Sequence, residues 1–273
     1  MRIKNTVLSV ILLGTLLLVP AFAITNGVPD GSGHPYVGLI VFDDAPGQPA
    51  WRCSGALLSP TVVLTAGHCT QGAVAARLWL DEIVQGNSEY PFSGTTSYDG
   101  QPYTNPNVCF GCAPGFMGFA LGDIGIVVLS EPVPASVTSR YAQLPAEGRV
   151  DQLRNKAGVD FVGYGVQYQV HGGGVNPYDA WRGAKVRLFA PSEFVSGRFQ
   201  ASDQLLRLAM NPGRSSGGFC FGDSGGPDLE AGTDRVIGVN SFVSNANCSG
   251  NGYSSRVDTS AALAWIGSFL NRP

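Results

Sequence analysis

Ser224 lies in a glycine-rich run, Gly222-Asp223-Ser224-Gly225-Gly226, that could support nucleophilic chemistry. Small neighbours permit a tight turn, let a substrate carbonyl approach the hydroxyl, and leave backbone N–H groups to face a developing oxyanion. A serine hydroxyl does not ionise by itself near neutral pH. It needs a neutral imidazole as base and a carboxylate that fixes the tautomer of that imidazole.

A second segment supplies the candidate base. Leu64-Thr65-Ala66-Gly67-His68-Cys69 contains one of the three histidines of the chain, and His68 is the natural partner for the serine hydroxyl. The other two, His34 and His171, are interpreted as solvated surface residues.

Short apolar runs separated by Gly, Pro, Asn and Ser clusters dominate the chain and are typical of an all-β barrel or sandwich. These predicted strands are Tyr36–Phe42, Ala56–Thr65, Ala75–Leu80, Ile124–Leu129, Val159–Val166, Lys185–Ala190, Leu205–Met210 and Val236–Val243. Near the C-terminus, Asp258-Thr259-Ser260 offers an N-cap, and apolar residues from Leu263 to Leu270 recur at helical spacing. A terminal helix is therefore predicted to dock on the β body.

Composition excludes several classes of protein. Of 273 residues, 14% are charged and 44% are hydrophobic, and the net charge is −3, which favours a folded chain with a sizeable core. No cluster of basic residues is present, so binding to nucleic acid or to an anionic membrane is not expected.

Residues 1–23 resemble a secretory signal peptide. Arg2 and Lys4 precede an apolar stretch, Val7–Val19, which is followed by the small-x-small site Ala21-Phe22-Ala23. The stretch is shorter than the roughly 20 residues that span a bilayer, so no stable membrane anchor is expected after cleavage. The mature protein is then predicted to begin at Ile24 and to be secreted, to an extracellular or periplasmic location.

Six cysteines in an exported chain favour three disulfides over metal ligands or redox thiols, with 15 possible connectivities. Cys109-Phe110-Gly111-Cys112 has the spacing of half a zinc site, but the histidines do not supply a second ligand pair. A tight surface disulfide is expected there, and neither a metal nor a cofactor is expected anywhere.

Four more segments accompany the serine and histidine blocks: Ile24-Thr25-Asn26-Gly27, Ser54-Gly55-Ala56-Leu57-Leu58, Gly122-Asp123-Ile124-Gly125-Ile126-Val127-Val128-Leu129 and Ser241-Phe242-Val243. Together they resemble the chymotrypsin/trypsin-like serine endopeptidases, in that family's chain order of His, Asp, Ser. The resemblance covers essentially all of the chain after residue 23. It implies two packed antiparallel β-barrels with a C-terminal α-helix, and a monomer that hydrolyses polypeptide substrates.

Carried over by position, the resemblance makes His68 the general base, Asp123 the carboxylate that orients it, and Ser224 the nucleophile. The N–H groups of Gly222 and Ser224 would bind the oxyanion. Asp123 directly precedes a predicted strand, a context that could bury a carboxylate beside an imidazole and that Asp81 and Asp99 lack.

The same resemblance pairs Cys53 with Cys69 and Cys220 with Cys248, and parity leaves Cys109 with Cys112. The length suits two halves of about 120 residues, and the polar, Pro-containing stretch Leu144–Asn155 marks the predicted boundary, with an N-terminal barrel over 24–146 and a C-terminal barrel and helix over 147–273. The Gln85–Met117 loop has no match in the motifs.

The resemblance to the family also implies an activation mechanism and a set of specificity-pocket residues. The Ile24 ammonium is expected to pair with Asp223 and to order the oxyanion loop. Pocket positions fall on Gly218, Phe219, Ser241, Phe242, Val243 and Gly252. Neither Gln204–Gly222 nor Phe242–Val257 contains an acid, so cleavage is predicted after small or medium uncharged residues.

The sequence is also compatible in part with two other functions. The serine run also fits the G-x-S-x-G motif of α/β-hydrolases, with His171-Gly172-Gly173-Gly174 as an oxyanion loop, but no histidine follows residue 171 to act as base. The second is a secreted scaffold of the same fold that acts as a non-catalytic binding or adhesion module; the complete triad argues against it.

Overall fold

The computed structural model describes residues 24–113, 115, 119–170, 180–195, 202–211 and 216–271. The predicted signal peptide and the His171 loop lie outside these residues, as does Met117 at the end of the Gln85–Met117 loop. In the first half the strands are β1 (Val28–Pro29), β2 (Val37–Ala45), β3 (Gln48–Leu57), β4 (Val62–Thr65), β5 (Ala75–Trp79), β6 (Ser97–Thr104), β7 (Cys109–Phe110), β8 (Ala120–Leu121) and β9 (Gly125–Leu129). In the second half they are β10 (Gly158–Gly163), β11 (Tyr168–Val170), β12 (Ala180–Arg182), β13 (Leu188–Glu193), β14 (Leu205–Met210), β15 (Pro227–Glu230), β16 (Val236–Val243) and β17 (Gly250–Arg256).

Six strands of the first half close into a barrel in the order β2-β3-β4-β9-β6-β5. Every pairing is antiparallel, and closure leaves no unpaired edge. The run Val37–Asp43 of β2 is buried at all seven positions, as expected for a strand covered on both faces. Its apolar side chains pack with those of β4, β5 and β9 in one core.

The second half forms a seven-stranded antiparallel sheet in the order β1-β13-β10-β15-β16-β17-β14. An isolated bridge between Phe194 and Leu208 connects the β13 and β14 ends, so the sheet curls toward closure. The predicted all-β fold of two packed barrel units is therefore confirmed, with one closed barrel and one incompletely closed sheet.

The predicted terminal helix is α2 (Ser260–Leu270), and Thr259 is its N-cap, accepting a hydrogen bond from the Ala262 N–H at 3.3 Å. Ile266 and Phe269 pack into the core of the first barrel, and the Phe269 ring lies 5.2 Å from that of Tyr103. Strand β1 belongs to the first half of the sequence but pairs with β13 in the second sheet. The two ends of the described chain thus clamp the two units together.

Three disulfides join Cys53 to Cys69, Cys109 to Cys112 and Cys220 to Cys248, with Cα–Cα distances of 6.3, 5.5 and 5.3 Å. The first fixes the segment that carries His68, and the third joins the serine block to the loop after β16. In the described part of the chain, no helix is both long and apolar enough to cross a membrane.

Candidate active site

His68 and Asp123 are brought together by the pairing of β4 with β9. His68 lies on the single-turn helix α1 (Gly67–Thr70), just after β4, and Asp123 lies just before β9. Because Thr65 pairs with Gly125 in an antiparallel register, the end of one strand meets the start of the other. The histidine and the aspartate therefore emerge at the same rim of the barrel.

The two side chains form a close, partly buried pair. His68 Nδ1 lies 2.7 Å from Asp123 Oδ2, and the His68 backbone N–H donates to Asp123 Oδ1, also at 2.7 Å. The Asp123 side chain is 1% exposed, whereas that of His68 is 34% exposed. The aspartate thus holds the ring from behind and leaves the far side of the imidazole accessible.

Two serines complete the surroundings of the aspartate. The Ser241 hydroxyl donates a short hydrogen bond to Asp123 Oδ2, and the Asp123 backbone N–H donates to Ser255 Oγ at 3.0 Å. Both serines belong to the second sheet, on β16 and β17. The carboxylate of the first barrel is therefore anchored by the second sheet.

Burial and charge shift the pKa values of His68 and Asp123 in opposite directions. Burial alone would raise the pKa of Asp123, but the His68 charge and the donors around the carboxylate bring it below its ordinary value. Burial alone would lower the pKa of His68, but the Asp123 charge and hydrogen bond raise it. The carboxylate therefore stays ionised and stabilises a protonated imidazole, as general base catalysis requires.

Ser224 lies in the tight turn that its glycines predict. Gly222 has φ +93° and Gly225 has φ +81°, in the left-handed region that favours glycine. A Cβ at Gly225 would clash with the Thr65 hydroxyl and the Ser54 carbonyl. The Ser54 N–H donates to the Ser224 carbonyl at 2.8 Å, so the turn is held against the first barrel.

Ser224, His68 and Asp123 line one cavity of about 550 Å³. Within the described part of the chain, the N–H groups of Gly222 and Ser224 donate to no protein acceptor. Both are therefore available to a ligand beside the serine hydroxyl, as an oxyanion site requires.

Asp223 points away from the cavity and is fully buried. Its carboxylate accepts hydrogen bonds from the Gly165 N–H at 2.7 Å and the Cys220 N–H at 2.9 Å. Burial raises the pKa of Asp223 to about 7, because these two donors and the more distant Arg52 charge offset it only in part. No cation among the described residues forms an ion pair with it.

Ile24 is buried in the core of the second sheet, in the same cluster as Phe219 and Cys220. The next residue, Thr25, pairs with Gly218 through two backbone hydrogen bonds of 2.8 and 3.1 Å. The start of the described chain is therefore inserted beside the serine block.

The structure divides the predicted pocket residues into two groups. Phe219, Ser241, Phe242 and Val243 line the cavity, whereas Gly218 and Gly252 do not. A Cβ at either glycine would meet the Met210 side chain, and at Gly252 it would also meet the Phe219 ring. Phe219 thus occupies the space in front of Gly252.

An aromatic wall of the cavity was not predicted. Phe110, Phe119 and Phe221 line it together with Phe242, and the Phe119 and Phe242 rings stack at 4.2 Å. Phe110 comes from the β7–β8 hairpin, at the Cys109–Cys112 disulfide, inside the Gln85–Met117 loop. The phenylalanines beside those cysteines were the available signal, but sequence spacing does not show that the hairpin reaches the cavity.

One expectation about histidine was wrong. The His34 side chain is 14% exposed, stacks on Phe189 and lies with its Nδ1 2.6 Å from Asp30 Oδ1. Pairing with the aspartate four residues earlier holds His34 in a half-buried position, so it is not the fully solvated residue that was expected.

One group of described side chains has metal-ligand spacing: Cys53, His68 and Cys69. Both sulfurs are joined in a disulfide, and the imidazole is held by Asp123. The group therefore offers no thiolate ligands.

A model of the family described as Trypsin matches residues 26–266. The chain belongs to the trypsin family of serine proteases. Among trypsin-family relatives, serine protease 1 of Drosophila melanogaster is 27% identical over 230 residues, which cover 82% of this chain and 77% of the relative. Human chymotrypsin-like elastase family member 3B is 27% identical over 258 residues, 87% of this chain and 89% of the relative.

Solved structures show the same trypsin-family fold. HL collagenase superimposes with a TM-score of 0.68 at 19% identity, over 92% of this chain and all of that one. Human heparin binding protein superimposes with a TM-score of 0.62 at 18% identity, over 92% and 98% of the two chains. At these identities the superpositions show the fold alone.

Proposed function

We propose that this protein is a secreted serine endopeptidase in which His68 is the general base, Asp123 orients it and Ser224 is the nucleophile. One observation carries the proposal: His68 Nδ1 lies 2.7 Å from the buried Asp123 carboxylate, on the wall of a cavity that Ser224 also lines. Family membership supports peptide-bond hydrolysis and polypeptide substrates.

The proposed chemistry proceeds in two halves. His68 Nε2 takes the Ser224 proton while Oγ attacks the substrate carbonyl carbon, and the N–H groups of Gly222 and Ser224 bind the oxyanion. The imidazolium then gives its proton to the leaving amine, and the acyl-enzyme remains. Water repeats the sequence with His68 as base, which releases the acid and restores the serine.

Cleavage after small or medium uncharged residues, such as Ala, Val or Leu, is part of the proposal. Asp123 is the one carboxylate among the described lining residues, and it is occupied by His68 and Ser241. A buried Arg or Lys would therefore lack a partner, at a cost of several kcal/mol. Phe219 makes the cavity too shallow for a large aromatic side chain of the substrate. The substrate backbone would pair with Ser241–Val243 as an added strand.

Activation is proposed to follow export. Cleavage after residue 23 would create an α-ammonium at Ile24, which is already buried in the core that contains Cys220. Asp223, buried without a cation partner among the described residues, is the group that this ammonium would neutralise. The signal-like composition of residues 1–23 and three disulfides support an oxidising destination.

Labelling with a fluorophosphonate, followed by peptide mapping and cleavage-site profiling with a diverse peptide library, tests this function. We expect one adduct per molecule, on Ser224, and a profile dominated by aliphatic residues. A folded protein that takes no label and cleaves no peptide would instead be the non-catalytic scaffold. A dominant preference for Arg or Lys would contradict the pocket assignment alone.

A further inference from the structure

Arg52 is a cation beside the serine turn that forms no ion pair with the described residues. It lies on β3 and is half-buried, and a Cβ built on Gly222 would be 3.6 Å from its Nε and 3.9 Å from its Nη2. The guanidinium is therefore close to Gly222, whose N–H is proposed to bind the oxyanion.

Most arginines in the described part of the chain are neutralised, and Arg52 is not. Six of them form ion pairs with carboxylates: Arg77, Arg140, Arg149, Arg187, Arg235 and Arg256. No described carboxylate lies within ion-pair distance of Arg52. In a chain with more acidic than basic residues, an unpaired guanidinium beside a candidate reaction centre is available to an anionic ligand.

Lys185 is a second cation, whose charge interacts with that of Arg52. Lys185 Nζ is 4.8 Å from the centroid of the Tyr90 ring and 3.2 Å from Gln85 Oε1, and it too has no carboxylate partner among the described residues. Burial lowers the pKa of Lys185, and the Arg52 charge lowers it further, so the two cations are within electrostatic range of each other. An anion between them would relieve this repulsion.

Arg52 lies near the leaving-group side of the reaction centre. The cavity lined by Phe219 and Ser241–Val243 would hold the acyl part of a substrate, and neither cation lines it. The leaving amine must lie at His68, because it takes its proton from the imidazole. The Cys53 and Cys69 sulfurs lie within 4.8 Å of a His68 ring nitrogen, and Arg52 precedes Cys53 in sequence, so Arg52 is near the side on which the leaving amine lies.

We infer that Arg52, with Lys185, selects polypeptide substrates that carry a carboxylate in the first two positions after the scissile bond. The inference rests on the proposed peptidase function and adds a substrate class to it. An Asp or Glu there would pair with the guanidinium, and the protein would favour acidic sequences on the leaving-group side although its acyl-side cavity takes uncharged residues.

The test uses two fluorescence-quenched peptides with the same aliphatic residue before the scissile bond, and Glu or Gln at the two positions after it. Active sites are counted first by fluorophosphonate titration of the mature protein. We expect a kcat/KM about fivefold higher for the Glu peptide, the upper range for an exposed ion pair. The ratio should approach one in 1 M salt, where the Debye length is only about 3 Å.

Variants assign the effect to the cation. Arg52→Gln should bring the ratio close to one, and Arg52→Glu should reverse it in favour of the Gln peptide. Arg154→Gln removes one positive charge at an exposed position in the turn before β10 and should keep the ratio of the unsubstituted protein. Lys185→Gln should lower the ratio in part.

The possible results distinguish failure of the preference for acidic substrates from failure of the proposed peptidase function. Equal cleavage of both peptides by a protein whose active sites titrate fully in a separate sample, or a preference that survives Arg52→Gln, would overturn this inference and leave the peptidase function intact. A folded protein that takes no label and cleaves neither peptide would overturn both.

Discussion

The Ser241 hydroxyl donates a hydrogen bond to Asp123 Oδ2, the same oxygen that lies 2.7 Å from His68 Nδ1. Ser241 belongs to β16, the strand that also lines the cavity, whereas Asp123 belongs to the first barrel. The proposed substrate-binding strand and the histidine–aspartate pair are therefore one hydrogen-bonded unit that spans the two halves of the molecule.

Ser241→Ala should lower kcat/KM by about tenfold, because a hydrogen bond to a buried charged group contributes about 1.5–3 kcal/mol. The carboxylate would lose a donor and hold the imidazole less firmly. Ser244→Ala, an exposed position at the same cavity, is the matched control and should change kcat/KM by less than about twofold. An unchanged rate in Ser241→Ala would show that the hydrogen bond does not position the pair.

The rate should rise with pH as His68 loses its proton. Asp123 raises the pKa of His68, so the midpoint of the kcat/KM profile should lie above the ordinary histidine value of about 6.5. Asp123→Asn should favour the wrong tautomer and reduce kcat by about 10⁴-fold. A flat profile between about pH 5 and 9 would exclude histidine as the base.

Asp228 is a buried carboxyl group that forms no ion pair with the described residues. Its side chain is fully buried in β15, and neither oxygen has a hydrogen-bond partner among the described residues. Burial raises its pKa to about 7, and the nearby Ser254 hydroxyl offsets this only slightly. The unfolded chain releases this proton at about pH 4, so the folded state loses stability as pH rises from about 4 to 7.

Asp228→Asn should therefore stabilise the protein at pH 7 and not at pH 4. The gain in unfolding free energy should reach at most about 4 kcal/mol, measured by denaturant titration at both pH values. Asp44→Asn changes an exposed carboxyl group and should alter neither value by more than about 0.5 kcal/mol. Equal stability of Asp228→Asn and the unsubstituted protein at pH 7 would contradict this account.

A mature form that begins at Ile24 should be more active than one with a single extra residue before it. The extra residue moves the ammonium away from Asp223, and a buried charge pair broken on one side typically costs about 3–5 kcal/mol. We expect a folded protein with kcat/KM at least about tenfold lower. Mature Ile24→Val should keep most of the activity because the ammonium stays in place. Full activity of the extended form would rule out the pairing.

The sequence predicts strands best where they are apolar. Strands β2, β9 and β14 follow Val, Leu and Ile runs, whereas β6 (Ser97–Thr104) and β17 (Gly250–Arg256) were missed. Polar and Gly-containing strands have low intrinsic β propensity, and tertiary pairing decides their conformation. The missed β17 carries Gly252 and also Ser255, which accepts the Asp123 N–H.

Some side-chain roles can likewise be predicted from the sequence, and others cannot. Short motifs around His68, Asp123 and Ser224 select the candidate site because tight turns and strand ends restrict residue type locally. The aromatic wall, the unpaired Arg52 and the buried Asp228 depend on contacts between distant segments, such as that of Arg52 with Gly222. Sequence composition and motif spacing do not predict those contacts.

The most direct test of the proposed chemistry is kcat for Ser224→Ala, measured with the mature protein and its best peptide substrate. The side chain removed is small and lies in a turn, so the variant should fold with unchanged disulfides and stability. If Ser224 is the nucleophile, kcat should fall on the order of 10⁶-fold. A variant that keeps more than about a hundredth of the original kcat would contradict the account.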